Sequence, residues 1–120
     1  MTLKMLRAKI HRATVTEACV DYVGSITIDE DILDATGILP GECVVVADVD
    51  NASRFETYVF RGSRGSGVFC VNGAAAHLVK VGHKIIIMAY AYLDETQAKT
   101  LKPRVAVMDD ANNIKEIMTY

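Results

Sequence analysis

The dipeptide Gly24-Ser25 is where this sequence first offers covalent chemistry. A serine hydroxyl held against the carbonyl of the preceding residue can attack it and exchange the amide for an ester. Elimination across that ester leaves a new C-terminus at residue 24. The dehydroalanine left behind hydrolyses to an N-terminal pyruvoyl group. Such a reaction needs the carbonyl fixed against the hydroxyl and the oxyanion stabilised. Glycine before the serine suits it, because glycine accepts backbone angles other residues avoid and places no side chain in the way. Taken alone, Gly-Ser is also the sequence of an ordinary strand bulge or turn.

Other residue types could serve a small anionic substrate. An arginine grips a carboxylate through two parallel hydrogen bonds, so Arg54, with Lys9, is a natural partner for a dicarboxylate. Each alone reads equally well as a solvated charge at a strand edge. Thr57 and Tyr58 are adjacent, so on a strand they point to opposite faces. Serving one site would require a local bend or contributions to two subunits' surfaces. Tyr58 otherwise reads as a barrel tyrosine with a wet hydroxyl. Asn72-Gly73-Ala74-Ala75 reads as a close-approach loop whose small side chains let backbone N–H groups reach an anion, or as a plain Asn-Gly turn. Tyr22, three residues before Ser25, is placed to line a pocket. His11, His77 and His83 are not assigned catalysis, and His83 beside Gly82 reads as exposed. The pairs Asp29/Asp31, Asp94/Glu95 and Asp109/Asp110 read as caps and loop charges, not as a carboxylate dyad.

The elements that must position these residues are mostly strands. Leu3–Ile10 and Ala13–Thr16 partly alternate, and Tyr22–Ile28 reads as extended with Gly24 inside it. A short helix follows over Asp29–Thr36, with Asp29 as N-cap and Gly37 as stop. Further strands are expected at Cys43–Val49, Phe55–Phe60, Val68–Val71, Lys84–Tyr92, Val105–Met108 and Ile114–Met118. The glycine-rich loop Gly62–Gly67 and a short helix at Ala74–Val79 lie between them. Many short strands with tight turns predict a small closed barrel, and the polar tail after Asp109 reads as loosely held at its end.

Composition bounds the rest. The chain has 120 residues, 51% of them hydrophobic, which fits one compact domain, 1–120. A domain this small is modestly stable alone, which favours self-association. A net charge of −2 with mixed signs gives no nucleic-acid footprint. Residues 1–12 scatter Lys4, Arg7, Lys9 and Arg12 among apolar residues and form no secretory signal, and no apolar run is long enough to span a membrane. Cys19, Cys43 and Cys70 lack metal-ligand spacing, so reduced thiols, a cytoplasmic location and no metal are expected.

Two blocks carry a family resemblance. KIHRATVTEACVDYVGSITID (9–29) resembles the cleavage-site region of bacterial aspartate α-decarboxylases, which are pyruvoyl-dependent. NASRFETYVFRGSRGSGVFCVNGAAAHLVKVGHKIII (51–87) resembles that family's other conserved block. Ala52 departs from it, since glycine usually follows the asparagine there, which puts the turn type in question. The resemblance implies a mainly β fold, a six-stranded double-psi β-barrel with short helices. It implies self-cleavage into 1–24 and 25–120, with a pyruvoyl cofactor derived from Ser25 and no pyridoxal phosphate. It also implies a homotetramer with sites between subunits, and conversion of L-aspartate to β-alanine and CO2 for pantothenate synthesis. A pyruvoyl carbonyl can form a Schiff base with the substrate amine and take up the electrons left by decarboxylation. By the same resemblance Lys9, Arg54, Thr57, Gly73, Ala74 and Ala75 bind substrate. Tyr58 returns a proton, Thr57 and Asn72 support cleavage at Gly24-Ser25, and Tyr22 lines the pocket. Two alternatives stay open: an uncleaved barrel acting as a binding or scaffold subunit, and the same machinery acting on a related acidic amino acid. Whether a maturation partner takes part is also open.

Overall fold

A computed structural model describes residues 1–119. The fold is mainly β, as the alternating stretches predict. The strands are β1 (Thr2–Thr14), β2 (Glu17–Cys19), β3 (Ser25–Asp29), β4 (Cys43–Asp48), β5 (Arg54–Gly62), β6 (Phe69–Asn72), β7 (Lys84–Asp94), β8 (Arg104–Met108) and β9 (Ile114–Thr119). Helix α1 spans Glu30–Thr36, α2 spans Glu95–Thr100, and a 3-10 turn spans Gly73–His77. The helix expected at Ala74–Val79 is this turn: five residues are too few to close a stable α-helical segment.

The ladders run in the order β2-β6-β3-β5-β4-β7-β1-β8-β9. This order is open, with β2 and β9 at its ends. Yet β2 follows β1 after only Val15 and Thr16, so one end of the order runs directly into its seventh strand. Two residues cannot span a flat sheet of that width, so the sheet curls. At the junction Val15 N–H donates to His83 O and Thr16 N–H to Phe69 O, each at 2.9 Å. β2–β6, β3–β5 and β1–β8 are parallel, and the other pairs are antiparallel.

The inner face is apolar because alternate residues point one way. Ile10, Ile26, Val46, Val59, Val71 and Ile87 are fully buried there. The two stretches expected at the N-terminus are one strand. Register shifts at Leu6/Ala8 and Ile10/Ala13 bend β1, with Arg12 at φ 64°. Bulges of this kind tighten the local curl.

Asp29 caps α1 as expected, accepting from Asp31 N–H at 2.9 Å. The same buried carboxylate accepts from Gly65 N–H (3.1 Å) and Gly67 N–H (2.9 Å), folding the glycine-rich loop around it. Helix α2 was not expected from the sequence, although its start at Asp94 was read as a cap. Asp94 and Gln97 form a reciprocal capping box there.

The tail after Asp109 is anchored at its start, and its last residue lies outside the described residues: Asn112 is buried, accepts from Thr14 N–H (2.8 Å) and donates to Thr14 O (2.9 Å) and Gly67 O (2.8 Å), while β9 pairs with β8. One expectation is corrected. His83 is not simply exposed, because its Nδ1 lies 2.6 Å from Oδ2 of the buried Asp48. No helix among the described residues is long and apolar enough to cross a membrane.

Candidate active site

Ser25 is the first residue of β3, and residues 20–24 before it form a turn and bend instead of the extended strand expected from Tyr22 onward. The reason is local. Tyr22 and Val23 are largely exposed and lie before the first ladder pair, so nothing extends the strand backwards. Ser25 pairs with Asn72, the last residue of β6, and Thr27 pairs with Cys70. Directly paired residues share a face, so these four side chains converge.

Their hydrogen bonds form one chain. The Ser25 hydroxyl donates to Val23 O at 3.3 Å, and its Oγ accepts from Asn72 Nδ2 at 3.1 Å. The same amide nitrogen lies 3.4 Å from Thr27 Oγ1. At its other end, the amide oxygen of Asn72 accepts from the Cys70 thiol at 3.2 Å. Ser25 and Asn72 are only 3% and 5% exposed, so these bonds are little diluted by water. Burial first, and then the nearby Glu17 carboxylate, push the Cys70 thiol above its ordinary pKa. Among the described residues, no histidine hydrogen-bonds Ser25 or Asn72.

The glycine requirement falls on a different residue from the one the sequence argument chose. A side chain at Gly24 would meet nothing within 4 Å, and Gly24 is not in the left-handed region. Gly73 is, at φ 80°. A Cβ there would lie 2.6 Å from Gly24 Cα, 2.9 Å from Gly24 N and 3.2 Å from Tyr22 O. Gly73 is thus the close approach expected of the Asn72–Ala75 loop, and what it approaches is the backbone just before Ser25. Ala74 and Ala75 follow in the 3-10 turn.

The remaining candidates divide by face. Thr27 pairs with Phe60 on β5, so Ser25 and Tyr58, each two residues earlier, share that outer face. Both stand just before the first ladder pair, Ile26–Val59, which makes them lateral neighbours. Tyr58 is 56% exposed, whereas Thr57 points to the inner face and is 8% exposed. Arg54 shares the outer face but lies four residues from Tyr58, about 13 Å along the strand. Lys9 aligns with Met88, Val45 and Glu56 across β1, β7, β4 and β5, three strand spacings or about 14 Å from β5. The registers therefore bring Tyr58 beside Ser25, Asn72 and Gly73, with Arg54 and Lys9 further along the same face.

A cavity of about 290 Å³ opens beside this cluster, lined by Tyr22, Thr27, Cys70 and Asn72 with Glu17 and Cys19. That is at the small end of small-molecule sites. Thr27 and Cys70 were not singled out from the sequence. The signal was there in the spacing: each lies two residues from a site residue on a strand, which puts it on the same face.

This arrangement sets a buried hydroxyl against the backbone that precedes it, and comparison with known proteins identifies the family. The aspartate decarboxylase family model matches residues 1–115. The chain is 56% identical to the aspartate 1-decarboxylase of Clostridium beijerinckii over 120 residues, covering 100% of this chain and 97% of that one. It is 55% identical to the enzyme of the same name from Caldicellulosiruptor saccharolyticus over 117 residues, covering 98% and 91%. It is 54% identical to that of Bacillus velezensis over 114 residues, covering 95% and 90%. With its family model matched almost end to end and its relatives covered at nine-tenths or more of their length, this chain belongs to the aspartate decarboxylase family.

Proposed function

We propose that this chain cuts itself between Gly24 and Ser25 and then removes the α-carboxylate of L-aspartate, giving β-alanine and CO2. The observation that carries the maturation step is the buried Ser25 hydroxyl, held between Val23 O and Asn72 Nδ2 with Gly24 wedged against Gly73. Ser25 Oγ bonds to the Gly24 carbonyl carbon, the C–N bond breaks, and the hydroxyl proton passes to the departing nitrogen. The Ser25 Cα proton and the Cβ–Oγ bond are then lost together, which frees the Gly24 carboxylate. Water replaces the amine at Cα, and ammonia leaves. The donor set fits this sequence, because the Asn72 amide holds Oγ while Gly73 fixes the backbone it must reach.

A pyruvoyl carbonyl at residue 25 supplies the electron sink that loss of CO2 requires. The chain's own residues do the rest. Tyr58, beside Ser25 on the outer face, returns a proton to the substrate carbon. Thr57 contributes from the inner face at the same strand position, and Gly73, Ala74 and Ala75 offer backbone N–H groups to the substrate. Tyr22 lines the cavity. Lys9 and Arg54 lie further along the outer face than Tyr58 does. They bind the two carboxylates at the site of a neighbouring copy, which favours a homotetramer with shared sites. The parallel β2–β6 and β3–β5 pairs and the β1–β2 junction support a double-psi barrel built from six strands, with β1 and β2 acting as one. Fragment 1–24 contains β1, paired on both edges, and stays with 25–120 after the cut. Three unpaired cysteines fit a cytoplasmic protein.

The test is Ser25→Ala, followed by intact-mass measurement and β-alanine production. The expected result is one uncut chain with no activity, against two fragments for the parent. A cut Ser25→Ala chain would remove Ser25 from the reaction.

A further inference from the structure

Asn72 has two chemically different ends, and only one of them is useful to Ser25. The serine proton is committed to Val23 O, so Oγ presents a lone pair to Asn72 and needs a donor there. The amide nitrogen meets that need, with Thr27 Oγ1 as its second acceptor. An amide turned through 180° would set its oxygen against Ser25 Oγ and leave that lone pair without a donor. Paired strands fix where Asn72 sits, but they do not fix which end of the amide faces Ser25. Something behind the amide must do so.

That group is the Cys70 thiol. It lies two residues before Asn72 on the same face of β6, it is buried, and its sulfur is 3.2 Å from the amide oxygen. A thiol donates through S–H and is a poor acceptor, so it favours the amide oxygen over the amide nitrogen as its neighbour. Burial, the largest cause, raises the thiol pKa above its ordinary value and favours the protonated sulfur. We propose that Cys70 is a positioning residue for self-cleavage: its S–H holds the Asn72 amide with the nitrogen toward Ser25 Oγ. Cys70 does not touch the scissile bond and acts only through Asn72. The inference rests on the maturation reading above and names the residue that poises it.

The experiment follows the cut in a cell-free translation reaction, where every chain begins intact. Full-length chain and fragment 25–120 are counted by mass spectrometry over time for the parent, Cys70→Ser, Cys70→Ala and Cys70→Val. Serine keeps a donor at this position, alanine removes it, and valine removes it while filling the space. Alanine and valine should slow cleavage by about three- to tenfold, the worth of one neutral hydrogen bond. Serine should stay within about twofold of the parent, and thermal stability should not follow the same ranking. Equal rates in all four chains would overturn the inference. So would equal slowing in all three variants, which would mean that packing matters and donation does not. A parent chain that stays whole would overturn the maturation reading itself, and this inference with it.

Discussion

Gly73→Ala is the substitution whose cost the geometry sets most directly. Two penalties separate there. The backbone penalty comes from a β-carbon at φ 80°, about 1–2 kcal/mol for a left-handed residue. The steric penalty comes from the 2.6 Å approach to Gly24 Cα. Ordinary contact begins at 3.4 Å, so the backbone before Ser25 must retreat by about 0.8 Å. A misplacement of about 1 Å costs a positioned reaction roughly 100-fold. Gly37 provides the control, since it sits at φ 79° at the end of α1 and a Cβ there meets nothing within 4 Å. Gly37→Ala should therefore lose only the backbone penalty of about 1–2 kcal/mol and cleave at the parental rate. Gly73→Ala should cleave roughly 100-fold more slowly while still folding. The assay is the rate of appearance of fragment 25–120, read beside a urea denaturation curve for each chain. Gly73→Ala cutting as fast as Gly37→Ala would refute the claim that Gly73 positions the scissile segment.

Ala52 holds φ 65° where glycine would sit without strain, so Ala52→Gly should raise stability by about 0.5–1 kcal/mol in chemical denaturation, the relief of strain being partly offset by the more flexible unfolded chain. His11 Nδ1 is buried without a hydrogen-bond partner, and burial first, then Lys9 and Arg12, lower its pKa below the ordinary value. Because the folded chain resists protonating it, stability should fall as pH drops below about 6.5 and level off beneath the folded value, and His11→Gln should flatten that slope in urea titrations at a series of pH values. Tyr58→Phe leaves Ser25 and Asn72 untouched, so cleavage should proceed while β-alanine production per cut chain falls by roughly 10²–10⁴; near-normal turnover by a fully cut variant would take the proton-donor role from Tyr58.

What the sequence made legible follows from how each residue acts. Period-two alternation located most of the strands, because one buried face suffices to produce it. The short β2 escaped because all three of its residues are exposed and carry no alternation. Helix α2 escaped for a similar reason: none of its residues is buried, so it shows no apolar face. The anchoring of the tail by Asn112 was not legible, because its partners Thr14 and Gly67 lie about 98 and 45 positions away along the chain. At the site, residue types pointed to Ser25, Asn72 and Tyr58, and the paired registers bring those three to one face.

Gly24 shows where reasoning from residue type stops. The serine argument asked for an unobstructed backbone and found a glycine next to the nucleophile. The obstruction that matters comes from across the ladder, at Gly73, and is visible only when β3 and β6 are paired in register. The same pairing explains why Cys70 passed unnoticed. A buried cysteine in an apolar strand reads as core until Asn72 is set against Ser25, and only then does its thiol have an amide to hold. In this protein the nucleophile is local sequence, but the groups that aim it come from β6 and the turn after it, with Asn72 47 residues away. Maturation should therefore be more sensitive to the β3–β6 register than to the identity of the residue before the cut.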